Sequence, residues 1–365
     1  MDYVGRQQRL REALPANRLD ALLITHLSNI RYLCGFSGSA GALLVSPAGS
    51  TFFTDGRYTE QAKSEVQAAK LVVARKTPLT AAAEWLGRKW IASRARKSQT
   101  LGIEGPYLTV AARRGLSDGL PRHIRLREAP PLVERARMVK DADEIQAIRT
   151  AVDQGAALFD RALQVIRPGV REIEVAAEME YAARKGGADA MSFETIIASG
   201  ARSALPHGRA SNAPIAAGGF VVCDFGVILH GYCSDRTRTV YVGAATTEAR
   251  RVYEAVLASQ QAAIDAVGPG VNVSRVDRVA RKTLQQNGLG PYFTHSTGHG
   301  VGLEIHEAPR VAQGQPEILR PGMVITIEPG VYLPGKWGVR IEDMVVVTEQ
   351  GCEALAPTQK EFIVI

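Results

Sequence analysis

At 365 residues, with 45% hydrophobic and 22% charged side chains, the chain is long enough for two globular domains with sizeable cores. Its 44 Lys+Arg against 37 Asp+Glu leave a net charge of +7. No recognition motif accompanies that charge, so no nucleic-acid partner is expected. No apolar run approaches membrane-spanning length, and the charged amphipathic opening from Arg6 to Leu14 lacks the apolar core of a signal peptide. A cytoplasmic protein with no membrane partner is therefore expected. The cysteines Cys34, Cys223, Cys233 and Cys352 show neither metal-ligand spacing nor a disulfide framework, which suits reduced thiols.

The first third alternates short apolar runs with helical stretches. Asp20 to Thr25, Gly41 to Val45 and Thr51 to Asp55 read as strands, with further strands near Leu101 and Ile124. Residues 56–67 and 78–98 carry helical periodicity, and the arginine-rich part from Arg88 to Lys97 reads as a solvated face. This alternation predicts an α/β domain. Pro130-Pro131 marks a linker, because two prolines prevent a helix from continuing. The spacing then predicts one long amphipathic helix from near Val133 past Ile148.

A weak internal repeat follows. Val165-Ile-Arg-Pro168-Gly-Val170, a helical run and Gly186-Gly187 recur as Ala266-Val-Gly-Pro269-Gly-Val271, a helical run and Asn287-Gly288. Further on, Phe220-Val-Val-Cys-Asp224-Phe-Gly226 matches Val324-Ile-Thr-Ile-Glu328-Pro-Gly330, and Asp235 falls opposite Glu342. The repeat predicts a pseudo-two-fold α+β domain whose halves each give two carboxylates to one centre.

Between the two pairs of acids lies His295-Ser-Thr-Gly-His299-Gly-Val-Gly-Leu-Glu-Ile-His306-Glu307, which holds three of the seven histidines. Its glycines argue for strand or loop rather than helix. In one continuous strand His299 and His306 would face opposite sides, so both reach one cleft only if Gly300 or Gly302 allows a bend. Asp224 with Asp235, and Glu328 with Glu342, suit two hairpins that each present two acids, and His299 adds a nitrogen. Buried carboxylates are costly without compensation. Four of them with an imidazole exceed the needs of one tetrahedral ion and suit two ions ~3.5–4 Å apart sharing a bridging water, which they would acidify to a nucleophilic hydroxide. The hard, thiolate-free donor set favours Mn2+ or Co2+, with Zn2+ or Fe2+ as alternatives. Ion pairing with Arg236, Arg238 and Arg340 is the simpler account of the acids, but it does not require the histidines.

These segments resemble the creatinase/aminopeptidase "pita-bread" metallopeptidases specific for Xaa-Pro bonds, aminopeptidase P and prolidase. The resemblance also runs through Ile196-Ile-Ala-Ser-Gly200, Ala204-Leu-Pro-His207-Gly, Ser234-Asp235-Arg-Thr-Arg-Thr239 and Arg340-Ile-Glu342-Asp. Asn29-Ile-Arg-Tyr-Leu-Cys-Gly-Phe and Thr54-Asp55-Gly-Arg-Tyr58 resemble that family's N-terminal domain. It implies a creatinase-like α/β domain over residues 1–130 and a pita-bread catalytic domain over 131–365. It implies a homodimer acting on peptides with proline in the second position. Asp224 would bind one metal, His299 and Glu328 the other, and Asp235 and Glu342 would bridge them. Glu328 would double as general base. His207, His295 and His306 would orient the scissile carbonyl or stabilise developing charge. Arg340 would hold a ligand carboxylate. Phe193 and Ile305 could wall a proline pocket, and Tyr232 could hydrogen-bond near the metals.

The preferred expectation is Xaa-Pro aminopeptidase activity, with Xaa-Pro dipeptidase (prolidase) as the alternative. A dipeptidase must close the channel beyond proline and capture its free carboxylate with a cation. Methionine aminopeptidase and a non-catalytic binding protein on the same scaffold are more distant; the N-terminal domain argues against the first and the full ligand set against the second.

Overall fold

The alternating apolar runs of the first third assemble into one sheet. In the computed structural model, which describes residues 1–92, 99–356 and 359–365, the chain divides into two compact units, Met1–Arg137 and Met138–Ile365. The first unit runs α1 (Tyr3–Ala16), β1 (Ala21–Ile24), α2 (Leu27–Cys34), β2 (Ala42–Ser46), β3 (Gly49–Asp55), α3 (Thr59–Glu65), β4 (Lys70–Ala74), α4 (Pro78–Ala92), β5 (Gln99–Ile103), α5 (Val110–Gly119), β6 (Ile124–Glu128) and α6 (Leu132–Arg137). Its six strands lie in the order β4-β3-β2-β1-β5-β6, with β1, β5 and β6 parallel and β2 antiparallel to both its neighbours. Leu86 of α4 and Leu116 of α5 bury in one cluster with Leu23, Phe53 and Leu101, and β1, buried along its whole length, is correspondingly apolar at every position. The helix expected over 78–98 is described to Ala92; residues 93–98, and with them most of the arginine-rich face, lie outside the described residues.

The long helix expected from Val133 past Ile148 is two helices. α6 ends at Arg137, and α7 (Ala142–Val165) starts after a break. The acids Asp141, Asp143 and Glu144 form the N-terminus of the second helix. Asp141 accepts the backbone N–H of Glu144 at 2.9 Å, and the Glu144 carboxylate accepts that of Asp141 at 3.0 Å. Within the break, Val139 bridges Met323, and Lys140 donates its N–H to the Gly322 carbonyl at 2.9 Å. This extended strap satisfies the backbone that the helix would otherwise have paired.

The second unit shows the repeat directly. Its first half is α7, α8 (Glu172–Lys185), β7 (Ala190–Met191), β8 (Ile196–Ser199), β9 (Gly219–Phe225), β10 (Val227–Leu229), β11 (Tyr232–Cys233) and β12 (Arg236–Val242). Its second half is α9 (Thr247–Asp265), α10 (Val273–Gln286), β13 (Gly298–Gly300), β14 (Glu307–Val311), β15 (Val324–Ile327), β16 (Gly330–Leu333), β17 (Trp337–Arg340), β18 (Asp343–Val347) and β19 (Cys352–Ala354). The Pro-Gly-Val turns make equivalent bonds: Gly169 N–H to Ile215 O and Gly270 N–H to Leu319 O, both 2.9 Å. Gly169 and Gly270 both take positive φ, which explains why glycine recurs there. Bridges Arg171–Pro214 and Asn272–Ile318 complete the match.

The halves are stitched along β12. Glu342 donates its N–H to Thr237 O at 3.1 Å, and Arg238 donates to the Glu342 carbonyl and to Asp343 Oδ1. Main-chain and buried charged bonds therefore set the distance between the two pairs of acids.

Candidate metal centre

Asp224 lies on β9, directly opposite Thr237 of β12, and Asp235 immediately precedes β12. The expected simple hairpin between these acids is longer than a turn, because β10 and β11 form a second ladder between them. Glu328 follows β15, and Glu342 falls between β17 and β18; β16 and β17 make the expected hairpin between them. All four carboxylates and His299 line one cavity of about 740 Å³.

His299 and His306 both reach this cavity because the backbone does not run straight. The β13–β14 register shifts between His299 and Gly300, and the turn between these strands carries His306 back towards His299. Their rings meet edge to face at 4.4 Å. A Cβ on Gly300 would lie 2.2 Å from the Ala308 carbonyl oxygen, so the close strand approach that makes the bulge requires glycine.

The donors at the cavity floor are short of hydrogen. His299 Nδ1 lies 2.9 Å from the Gly300 carbonyl and must carry the proton to donate. In neutral imidazole that leaves a lone pair on Nε2, which faces Asp235 Oδ2 at 3.5 Å and Glu328 Oε1 at 3.6 Å. Asp235, His299 and Glu342 each offer one atom within 4.8 Å of the other two. Among the described residues, Asp224 Oδ1 and Glu342 Oε1 are buried with no hydrogen-bond partner. Orphaned acceptors and an imidazole lone pair lining one cavity fit cations, and the nitrogen-and-oxygen donor set fits divalent ones.

Electrostatics tell the same story. Burial, then the charges of Asp224 and Glu328, push Asp235 well above the usual carboxylate range. Burial, then Asp235, Glu328 and Asp224, do the same to Glu342. Glu328 is also raised, chiefly by burial, with His299 and Arg340 opposing. Bound cations reverse this balance by favouring the ionised forms.

Arg340, expected to hold a ligand carboxylate, donates Nη2 to Asp224 Oδ2 at 2.5 Å. It also donates Nε to Thr237 Oγ1, whose hydroxyl passes a hydrogen bond to Glu342 Oε2 at 2.8 Å. His295 has both ring nitrogens occupied by protein: Nδ1 with Ser296 O at 2.7 Å and Nε2 with the Tyr332 hydroxyl at 2.9 Å. Burial and the Arg340 charge lower its pKa to about 4, so it is neutral near pH 7. Its Nδ1 carries the single proton, and Tyr332 donates to Nε2 while accepting from Arg340 Nη1 at 2.7 Å. A chain of bonds thus runs from the His295 loop through Tyr332 and Arg340 to Asp224.

Tyr332 was not legible as a site residue; it is one strand tyrosine among several. Tyr332→Phe is expected to cost about 1–3 kcal/mol, because it leaves an acceptor nitrogen and a guanidinium N–H unpaired in a buried place. Thermal melts check this, and an unchanged Tm would remove the chain from the stability account.

Phe193, Ile305, His207 and His306 line the cavity as expected positions on its wall. Burial, with the neighbouring His299, lowers the pKa of His306. Tyr232 is a correction. It does not line the cavity but is buried among Ile148, Val152 and Val301, with its hydroxyl donating to Glu144 Oε1 at 2.9 Å. The β10–β11 ladder turns it onto α7, where its ring packs in a core and the Glu144 carboxylate accepts its hydrogen bond.

Comparison with known proteins agrees with this geometry. The profile of metallopeptidase family M24 matches residues 146–349, and that of the Creatinase/Prolidase N-terminal domain matches residues 6–139. An Xaa-Pro dipeptidase from Pyrococcus furiosus is 38% identical over 359 residues, covering 98% of this chain and 99% of that protein. The structure of an Xaa-Pro dipeptidase from Bacillus anthracis superposes with a TM-score of 0.93 at 38% identity, covering 100% of both chains. An X-Pro aminopeptidase from Thermotoga maritima superposes with a TM-score of 0.87 at 36% identity, covering 99% of this chain and 100% of that one. The cavity's lining residues and the acids at its floor fall within the matched segment, and the chain belongs to metallopeptidase family M24, whose peptide hydrolysis uses divalent metal.

Proposed function

We propose that the protein hydrolyses the bond between the first residue and proline in Xaa-Pro dipeptides. The observation that carries this is the cavity floor, where four acids and the Nε2 lone pair of His299 converge. Sequence alone leans to the aminopeptidase. The two dipeptidase relatives, each matched over essentially its whole length, shift the preference to the dipeptidase. The Thermotoga relative keeps aminopeptidase activity as the second reading. The second unit carries the chemistry, with Asp224, Asp235, His299, Glu328 and Glu342 holding two ions, Mn2+ or Co2+ ahead of Zn2+ or Fe2+. The protein acts in the cytoplasm as a homodimer. Among the described residues no helix is long and apolar enough to cross a membrane.

When bound, the ions supply Lewis acidity and an activated water. Glu328, whose Oε1 faces His299 Nε2 at 3.6 Å on the cavity floor, would take the proton of that water as an ionised carboxylate. His207 and His306, exposed on the cavity wall, offer N–H donors where charge develops on the carbonyl oxygen. His295 holds Tyr332, and through it Arg340 and Asp224, in position. Phe193 and Ile305 receive the proline ring.

A dipeptide also presents a free carboxylate. Three arginines line the cavity: Arg340 is buried on Asp224, Arg209 pairs with Glu194 at 2.9 Å, and Arg310 stands exposed on β14 opposite His299 in register. Arg310 is the guanidinium placed to receive it. Arg310→Gln is expected to raise KM for Ala-Pro roughly 10-fold to 100-fold, in line with ~1.5–3 kcal/mol for a charge-assisted bond. A longer Xaa-Pro peptide should lose little. An equal loss on both substrates would remove Arg310 from carboxylate recognition. The parent experiment compares wild-type rates on Ala-Pro and on the longer peptide with Mn2+ and with Co2+; faster cleavage of the longer peptide would favour the aminopeptidase.

A further inference from the structure

The turn that carries Ile305 and His306 into the cavity is held from behind by a buried charge. Glu307, the first residue of β14, directs its carboxylate back into the hairpin rather than into solvent. Its Oε1 accepts the backbone N–H of Glu304 at 3.1 Å, and its Oε2 lies 3.2 Å from Lys140 Nζ. The side chains of Lys140 and Glu307 are 1% and 6% exposed, so this is an interior ion pair and not a surface one. A Cβ on Gly302 would come within 2.7 Å of Glu307 Oε1, so the carboxylate fills the space that glycine leaves open. On its other side the turn is tied by Cys233 N–H to the Gly302 carbonyl at 2.8 Å.

Lys140 does not belong to the hairpin. It sits in the extended strap before α7, where its own N–H is fixed to Gly322 O and its neighbour Val139 bridges Met323. Its ammonium therefore projects from a fixed backbone. Glu307 pairs through its backbone with Gly300, next to His299, and follows His306 directly. Fixing the Glu307 side chain thus fixes the direction in which the chain leaves His306.

We propose that Lys140 is a positioning residue for catalysis: its ion pair with Glu307 clamps the 301–306 turn so that His306 and Ile305 stand over the substrate. The assignment rests on the Xaa-Pro hydrolysis proposed above. Without the ammonium, the buried carboxylate loses the Lys140 counter-charge and is drawn towards solvent, and it already lines the cavity. The turn opens and His306 shifts, while the acids, held by β9, β12 and the β15–β18 ladder, and His299, whose N–H is donated to Thr326 Oγ1 at 3.1 Å, keep their places.

The test uses the metal-loaded full chain. Wild type, Lys140→Met, Lys140→Arg, Glu307→Gln and the double variant Lys140→Met with Glu307→Gln are compared for bound Mn2+, for kcat and KM on Ala-Pro, and for hydrogen–deuterium exchange of the 301–307 amides. Lys140→Met is expected to keep its metal, to lose roughly 10²-fold in kcat/KM, as for a misplacement near 1 Å, and to exchange faster in 301–307 than in the rest of the catalytic unit. Lys140→Arg should recover most of the loss. The double variant, which removes both charges, should be less impaired than the product of its single effects. If Lys140→Met does not fold, Glu307→Gln carries the same comparison, because its amide oxygen still accepts from Glu304. Wild-type values of kcat/KM and exchange in Lys140→Met, or multiplicative effects in the double variant, would overturn the clamp. Absence of Xaa-Pro hydrolysis by wild type would overturn the proposed activity instead, and the exchange comparison would still decide on Lys140.

Discussion

Glu328→Gln is expected to lower turnover on Ala-Pro by ~10²–10⁴-fold, the usual contribution of a positioned general base, and to lower metal content as well. The substitution keeps the shape of the side chain but removes its charge and its basic site. Its amide N–H₂ would also face the His299 Nε2 lone pair, at the 3.6 Å that Glu328 Oε1 occupies now. A hydrogen bond there would satisfy His299 without a cation, so the variant should fold well and bind metal poorly. His306→Ala is the contrasting case. His306 touches His299 only ring to ring, and the atoms of Asp235, His299 and Glu342 converge without it. Its removal should leave metal content near normal and cost roughly 10²-fold in turnover, the scale of one lost donor to developing charge. Metal stoichiometry and kcat on both variants decide. If His306→Ala loses a metal while Glu328→Gln keeps two and most of its activity, the two roles are exchanged or wrong.

What the sequence reveals of this site follows from how local each signal is. Asp224, Asp235, Glu328 and Glu342 are legible as a group because each sits in or beside a strand-like run and because the halves repeat. His299 and His306 are legible only with the condition that a glycine bends the chain, and the shift between His299 and Gly300 supplies the bend. The helix break at 138–141 was hidden, because Asp141 to Glu144 have the composition of a helix first turn and of an amphipathic interior alike. Tyr332 and Lys140 were hidden for a different reason. Their partners, His295, Arg340 and Glu307, lie across a hairpin or far away in sequence, and no spacing rule connects a lone tyrosine or lysine to them. Tyr232 misled because strand position alone cannot say which face a side chain takes when the strand belongs to a side ladder rather than to the sheet bearing the acids. Residues that chemistry requires by type can thus be read from the chain, whereas those that hold them in place need the fold.

Stripping the metal is expected to cost more stability at pH 8 than at pH 5. Burial first, and then mutual repulsion, raise Asp235 and Glu342 well above the usual carboxylate range, and burial raises Glu328. A carboxyl with a raised folded-state pKa binds its proton more tightly folded than unfolded. Its contribution to stability is complete below the unfolded value of ~4 and is lost as pH rises through the raised folded value. The metal-free protein therefore weakens as pH rises from the acid range. The metal acts in the opposite sense. It binds the folded chain, adds about 4 kcal/mol at a thousandfold excess over Kd, and competes with protons that are scarce at high pH. His295 acts in the opposite sense to these acids: burial and the Arg340 charge lower its pKa to about 4, so it contributes stability above its ordinary value of 6.5 that is lost as pH falls through 4. It stands against the three raised carboxyls. Melting curves at pH 5, 6.5 and 8, each with excess Mn2+ and with a chelator, give the difference in Tm at each pH. The gap should widen steadily with pH, and metal analysis should return two ions per chain. A gap that stays constant or narrows would mean that the acids at the cavity floor are not the metal's ligands, since their repulsion would then be relieved by something other than the ion.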